Sequence, residues 1–246
     1  MIAARQIAFG RSAKKKETPA YWGLCFTAEG AWSVVAMRAA GSAPAVTLET
    51  SYDGEIWEPF YVGETTISLP KVGDKIYFRA GPGGNTKFAD GEYAYNYFSM
   101  MGVVAASGNI MSLLDGENMT DALTESYCYF NMFKGCTSLV NAPELPATTL
   151  ATYCYQYMFN GCTSLVNAPE LPATTLKRLC YSNMFKGCEK VSLISTRQTS
   201  FNGCTNWLSG VAQSGIFYCP TSLGMDETIT RGESACPEGW TVINKD

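Results

Sequence analysis

The 246 residues include no histidine, so any chemistry here would have to come from carboxylates, tyrosines, lysines or cysteines. That absence removes the usual general base, the usual zinc ligand and the Ser-His or Cys-His nucleophile pair together. Ten cysteines invite a disulfide or metal reading, but seven fall on a lattice. Cys128, Cys154 and Cys180 are 26 apart, as are Cys136, Cys162 and Cys188, and Cys204 follows another Phe-x-Gly-Cys. Residues at one point of a repeating unit stack on their own copies, so these predict columns of small, reduced, buried thiols. Asp121 with Glu125, and the recurring Glu144 and Glu170, could pair for glycan hydrolysis. Recurrence at identical repeat positions is what a structural surface produces, so no catalytic residue, metal or cofactor is expected.

Two further motifs read as turns. Asp-Gly-Glu occurs at 53–55, 90–92 and 115–117 without the ladder of acidic ligands that calcium needs, and Asp-Gly is a common hairpin signal. "GPGGN" at 81–85 lacks the Lys-Ser/Thr of a phosphate loop and is expected to be a loop tip.

The elements that position these residues come from the repeat. "CTSLVNAPELPATTL" stands at 136–150 and again, unchanged, at 162–176. In register the units begin at Cys128, Cys154 and Cys180, with Leu113, Leu139, Leu165 and Val191 extending the lattice backwards. Fixed periods of this length signal stacked repeats. Cys154, Met158 and Cys162 lie at i, i+4, i+8, which predicts a short helix ended by a left-handed Gly161. "CTSLVNAPEL" predicts a strand of three to five residues stopped by Pro143 or Pro169. In "PATTL", Thr148 or Thr149, and Thr174 or Thr175, are candidate N-caps.

Positions that change between units are expected to face solvent: Phe130 and Asn131, Gln156 and Tyr157, Ser182 and Asn183. Tyr153, Gln156, Tyr157, Asn131 and Asn183 are therefore the candidate ligand contacts, since rigid aromatics supply contact area at low entropic cost. The alternative is that Tyr153 and Tyr157 merely cover the helix face.

Residues 20 to 105 read differently, as short aromatic and β-branched runs between Gly, Pro and Asp-Gly turns, which predicts an antiparallel sandwich. Ile76, Phe78 and Ala80 alternate with Tyr77 and Arg79, and Asp53-Gly54 is placed at a hairpin tip. The net charge of -4 divides into +5 before Glu17 and -9 from Glu17 onward, so the body does not predict nucleic-acid binding. No stretch approaches the roughly 20 apolar residues of a membrane span, and Arg5 and Arg11 interrupt any signal-peptide core. The opening is either a solvated terminus or an arm that folds onto an acidic partner. In the second reading Ile2, Ile7 and Phe9 anchor it, with Arg5, Arg11, Lys14, Lys15 and Lys16 as the electrostatic attraction.

"MFxGCTSLxxAPELPATTL" resembles the BspA-type leucine-rich repeats of surface proteins from gut bacteria of the Bacteroidetes group and of the phages that infect them. "AASGNIMSLLDG" at 105–116 is similar to their entry into the repeats, and "NWLSGVAQSGIFYCP" with "CPEGWTVINKD" to their exit, so the likeness spans roughly residues 45 to 246. The expectation is a mixed α+β protein, an antiparallel β-sandwich followed by a short leucine-rich-repeat solenoid of about four units. Its parts are a basic arm over 1–17, the sandwich over 18–105, the solenoid over 106–206 and a C-terminal cap over 207–246.

The resemblance implies a non-enzymatic structural and binding protein. The expected role is a phage virion surface component, either a head or tail fibre or a capsid decoration, that adheres to a host-surface glycan or protein. The basic arm would attach it to other virion proteins, and the assembly would be a homo-oligomer, a trimer if a fibre. A bacterial cell-surface adhesin is the alternative. Neither nucleic acid nor a membrane span is expected among its partners.

Overall fold

The computed structural model describes residues 23–116, 120–223 and 231–245. β-Strands come first: β1 (Cys25–Ala28), β2 (Ser33–Ala40), β3 (Leu48–Ser51), β4 (Glu58–Phe60), β5 (Thr66–Leu69), β6 (Lys75–Ala80), β7 (Ala89–Gly91), β8 (Ala94–Met101) and β9 (Val104–Ser107). They are followed by α1 (Ser112–Asp115), β10 (Leu139–Asn141), β11 (Leu193–Ser195), β12 (Ile216–Cys219) and β13 (Thr241–Asn244). One sheet runs β10-β9-β1-β6-β3-β4, a second β5-β2-β8-β7, and a third, wholly parallel, β11-β12-β13.

In β6 the alternation places Ile76, Phe78 and Ala80 inside. In β8, Asn96, Phe98 and Met100 point inward and leave Tyr95 and Tyr97 on the outer face. Rings from the first two sheets meet between them: Phe98 of β8 lies 4.8 Å from Phe26 of β1 and 5.4 Å from Phe78 of β6, edge to face. The β3–β4 turn is held by Asp53, whose Oδ1 accepts the N–H groups of Glu55 and Ile56 at 2.8 and 2.9 Å.

The expected mixed α+β class does not hold. The protein is almost entirely β, its strands gather in separate sheets, and they do not close into a solenoid. Among the described residues the one α-helix is the four-residue α1. No helix occupies the Cys-x-x-x-Met stripe; each copy folds there into a row of tight turns, which we call a tier: residues 127–136, 153–162 and 179–188.

Within a tier the N–H groups alternate in purpose. Phe130, Met132, Lys134 and Cys136 donate to the carbonyl three residues back, at 3.0 to 3.2 Å. Tyr129, Asn131, Phe133 and Gly135 instead donate to Cys154, Gln156, Met158 and Asn160 of the next tier, at 2.7 to 3.1 Å. Tyr155, Tyr157, Phe159 and Gly161 repeat this toward Cys180, Ser182, Met184 and Lys186. An α-helix would keep every such bond to itself; here half of them join neighbours.

The row is kept from becoming a helix by a left-handed residue at every fourth position. Tyr127, Asn131 and Gly135 have φ of 62°, 57° and 73°; Tyr153, Tyr157 and Gly161 have 61°, 56° and 74°; Leu179, Asn183 and Gly187 have 54°, 53° and 75°. Four-residue spacing buries one face in either conformation, so Cys154, Met158 and Cys162 are buried as a helical stripe would be, without a helix. Nor do the threonines cap one; the carbonyl of Thr149 accepts the N–H of Leu123 instead.

Two columns of stacked rings bind the sheets to the tiers. Phe98, Phe133, Phe159 and Phe185 follow one another at 5.3, 5.3 and 5.5 Å, tilted by at most 13°. Phe88, Tyr129, Tyr155, Tyr181 and Trp207 form the second at 5.8, 6.0, 6.2 and 6.1 Å. Each column starts on a ring from the first 105 residues, and one buried apolar cluster runs from Leu24 to Trp240. β9 also pairs in parallel with β10, Val104 opposite Leu139. All ten cysteines are buried and unpaired.

Candidate binding face

The alternation that buries Phe98 puts Tyr95 and Tyr97 side by side on the outer face of β8, 5.6 Å apart. From Tyr95 a chain of ring contacts crosses onto the tiers. Tyr95 meets Phe130 at 5.8 Å, Phe130 meets Tyr127 at 5.6 Å and Tyr157 at 5.9 Å, and Tyr127 stacks on Tyr153 at 4.6 Å and 11°. Two cations cover its far end. Arg178 lies 5.7 Å over the ring of Tyr153, and the Lys134 ammonium 5.2 Å over that of Tyr157. Such contacts contribute about 0.5–1 kcal/mol at exposed sites. Burial pushes the Tyr127 phenol above its ordinary pKa, with Tyr153 and Glu92 adding to the rise and Arg178 opposing it.

Tyr127, Tyr153 and Tyr157 all sit in the left-handed region, which bulky residues enter at roughly 1 kcal/mol or more and Gly or Asn enter cheaply. In the column of Tyr157 the tiers on either side use Asn131 and Asn183. Strain of this kind points toward function when the same position has a cheaper occupant next door.

Of the five residues singled out from the sequence, Tyr153 and Tyr157 are half-buried members of this face. Asn131, Gln156 and Asn183 are not exposed, at 2%, 5% and 7%, which corrects the expectation that variable positions face solvent. They vary because each tier has different neighbours. Phe130 packs on Tyr95 of β8, while at the equivalent place Ser182 donates to the carbonyl of Thr205 at 3.3 Å and accepts from Asn183 at 2.9 Å. Asn131 and Asn183 serve the backbone conformation, and Asn131 Oδ1 and Gln156 Oε1 find no hydrogen-bond partner among the described residues. Phe130 and Ser182, also expected to face solvent, are buried at 2% each, and Tyr95, Tyr97, Tyr127 and Arg178 were not singled out. Tyr127 was within reach, standing 26 residues before Tyr153, and "YAYNYF" already alternates.

Glu144 and Glu170 line one groove among Pro143, Pro146, Pro169 and Pro172. Glu170 lies 3.7 Å from Arg197 with both side chains exposed, and the oxygen of Asp53 is committed to its turn, whose backbone N–H groups hold its carboxyl below the usual range. In the Gly-rich turn, Asn85 is tied to the carbonyls of Thr47 and Leu113 at 2.9 and 2.8 Å. Ile2, Arg5, Ile7, Phe9, Arg11, Lys14, Lys15 and Lys16 lie outside the described residues. Among the described residues no helix is long and apolar enough to cross a membrane. Comparison with protein-family models, with curated proteins and with solved structures returns no match.

Proposed function

We propose that this chain is a non-enzymatic binding protein whose aromatic face adheres to a host-surface glycan, carried on a phage virion and attached there through its basic N-terminal segment. The observation that carries the binding part is the set of strained tyrosines. Tyr127 and Tyr153 are stacked, and the buried ring of Phe130 joins them to Tyr157, all three tyrosines on backbone that Asn or Gly would occupy more cheaply. A surface built of rigid rings, edged by hydroxyl groups and anchored in two buried columns, is preorganised and loses little entropy on binding. The virion placement rests on the repeat resemblance and on the +5 opening.

The test is the double variant Tyr153→Asn/Tyr157→Asn, screened with the wild-type chain on an array of immobilised glycans. Asn is the residue that the tiers on either side already use in the Tyr157 column, so the fold should be kept and the melting temperature should move by only a few degrees. Loss of glycan signal with folding intact is expected; undiminished signal would sink the assignment of the face. For the placement, mass spectrometry of purified particles should find the chain, including residues 1–16, as a stoichiometric component. Its recovery in the host outer membrane instead would favour a cell-surface adhesin.

A further inference from the structure

We infer that the ligand of the aromatic face is an anionic polysaccharide, an assignment that rests on the binding role proposed above and specifies its chemistry. From Glu17 onward the chain carries a net charge of -9, yet Lys134, Lys177, Arg178 and Lys186 are all exposed around this face. Arg79–Glu49, Lys87–Asp90 and Arg197–Glu170 are ion pairs, and none uses these four cations. Cations left without carboxylate partners on an acidic body are a local complement to an incoming anion.

Their placement follows from the tier register. Lys134 and Lys186 occupy one position in the first and third tiers, with Asn160 between them; the Asn160 amide donates to the Lys186 carbonyl at 3.3 Å. Lys177 and Arg178 stand at the opposite end of the third tier, where the Arg178 carbonyl accepts the N–H of Tyr153 at 3.1 Å. The cations therefore bracket Tyr153 and Tyr157 from both ends of the row. Glu92 and Arg178 act on Tyr127 with opposite signs, and Glu125 acts on Cys128, both at the start of the first tier. Three of the four cations, Lys177, Arg178 and Lys186, belong to the third tier and the residues leading into it, away from the first two sheets.

The rings argue for sugar over nucleic acid. A single-stranded base needs an open aromatic face to stack on. Tyr127 and Tyr153 are stacked on each other, and Arg178 and Lys134 lie over Tyr153 and Tyr157. What such rings offer is edges and hydroxyl groups, which suit the C–H and O–H groups of a pyranose, while the bracketing cations take its carboxylates or sulfates.

The test uses the full chain in titration calorimetry against alginate, dextran sulfate, uncharged dextran, poly-glutamate and single-stranded oligo(dT). Alginate or dextran sulfate should bind about tenfold or more tightly than dextran, and the preference should collapse as salt rises from about 50 to about 500 mM. Lys177→Glu/Lys186→Glu removes charges that contact no ring, so it should abolish that preference without changing the melting temperature. Equal binding of charged and uncharged dextrans would overturn the anionic class and leave the glycan face standing. Poly-glutamate or oligo(dT) binding as tightly as alginate would overturn the polysaccharide assignment. No binding to any polysaccharide by the folded chain would overturn both readings.

Discussion

The thiol of Cys162 donates to the carbonyl oxygen of Phe133, one tier earlier, across 3.0 Å, and Cys188 repeats the bond to Phe159 at the same distance. Cys136 completes the series by donating to Phe98 of β8 at 3.1 Å. Each column thiol is thus a buried proton donor whose ionised form would lose its bond and face an oxygen.

Stability should therefore fall in alkali. Burial pushes Cys136 and Cys188 up to about 12 and Cys180 up to about 11, from an ordinary thiol value of 9.0. The folded pKa values are raised, so the contribution is fully present below about pH 9. It is lost as pH climbs through about 11 to 12, where the unfolded chain has released protons that the native chain keeps. Buried Tyr129, Tyr155 and Tyr181, raised mainly by desolvation, extend the loss. Urea midpoints at about pH 7.5, 9 and 10.5 check this. A flat profile would contradict it.

The left-handed glycines should rank by their surroundings. A Cβ on Gly135 would meet nothing within 4 Å, whereas one on Gly203 would lie 2.6 Å from the Lys177 carbonyl oxygen. Gly135→Ala should cost about 1 kcal/mol from its φ of 73° alone, and Gly203→Ala at least twice that. Gly135→Asn should recover much of the loss. Chemical denaturation of the three variants measures the order.

Phe98 belongs to both the second sheet and the first ring column, 4.8 Å from Phe26 and 5.3 Å from Phe133. Phe98→Ala should destabilise by about 3–5 kcal/mol. The expected result is one unfolding transition shifted as a whole, seen by hydrogen exchange in β1 and in the second tier alike. Separate transitions for the two regions would show that the column does not couple them.

What was legible in the sequence was the period, and through it the buried columns, because stacking demands identical residues at identical heights. The same comparison singled out Tyr153 and Tyr157, which the structure leaves half-buried. The helix was misread because a spacing of four residues is shared by an α-helix and by turns broken at every fourth residue; the clue was Asn131, Asn183 and the glycines at that interval, which favour positive φ. Exposure was misread at Gln156 and Asn183 because difference between copies recorded a change of neighbour. The cross-contact from Tyr95 to Phe130 was beyond reach, since it depends on how two distant stretches dock.

The alternating bonds of the tiers have a consequence for growth. The first tier reaches the second, and the second the third, with N–H groups that each seek the carbonyl 25 residues ahead. An inserted copy of that 26-residue unit would offer its neighbours the partners they already have. The distance between the sheets and the C-terminal strands would lengthen by about 4.8 Å per copy, with both ends undisturbed. A gene that duplicates or deletes whole units can in this way change how far the molecule extends without inventing a new fold.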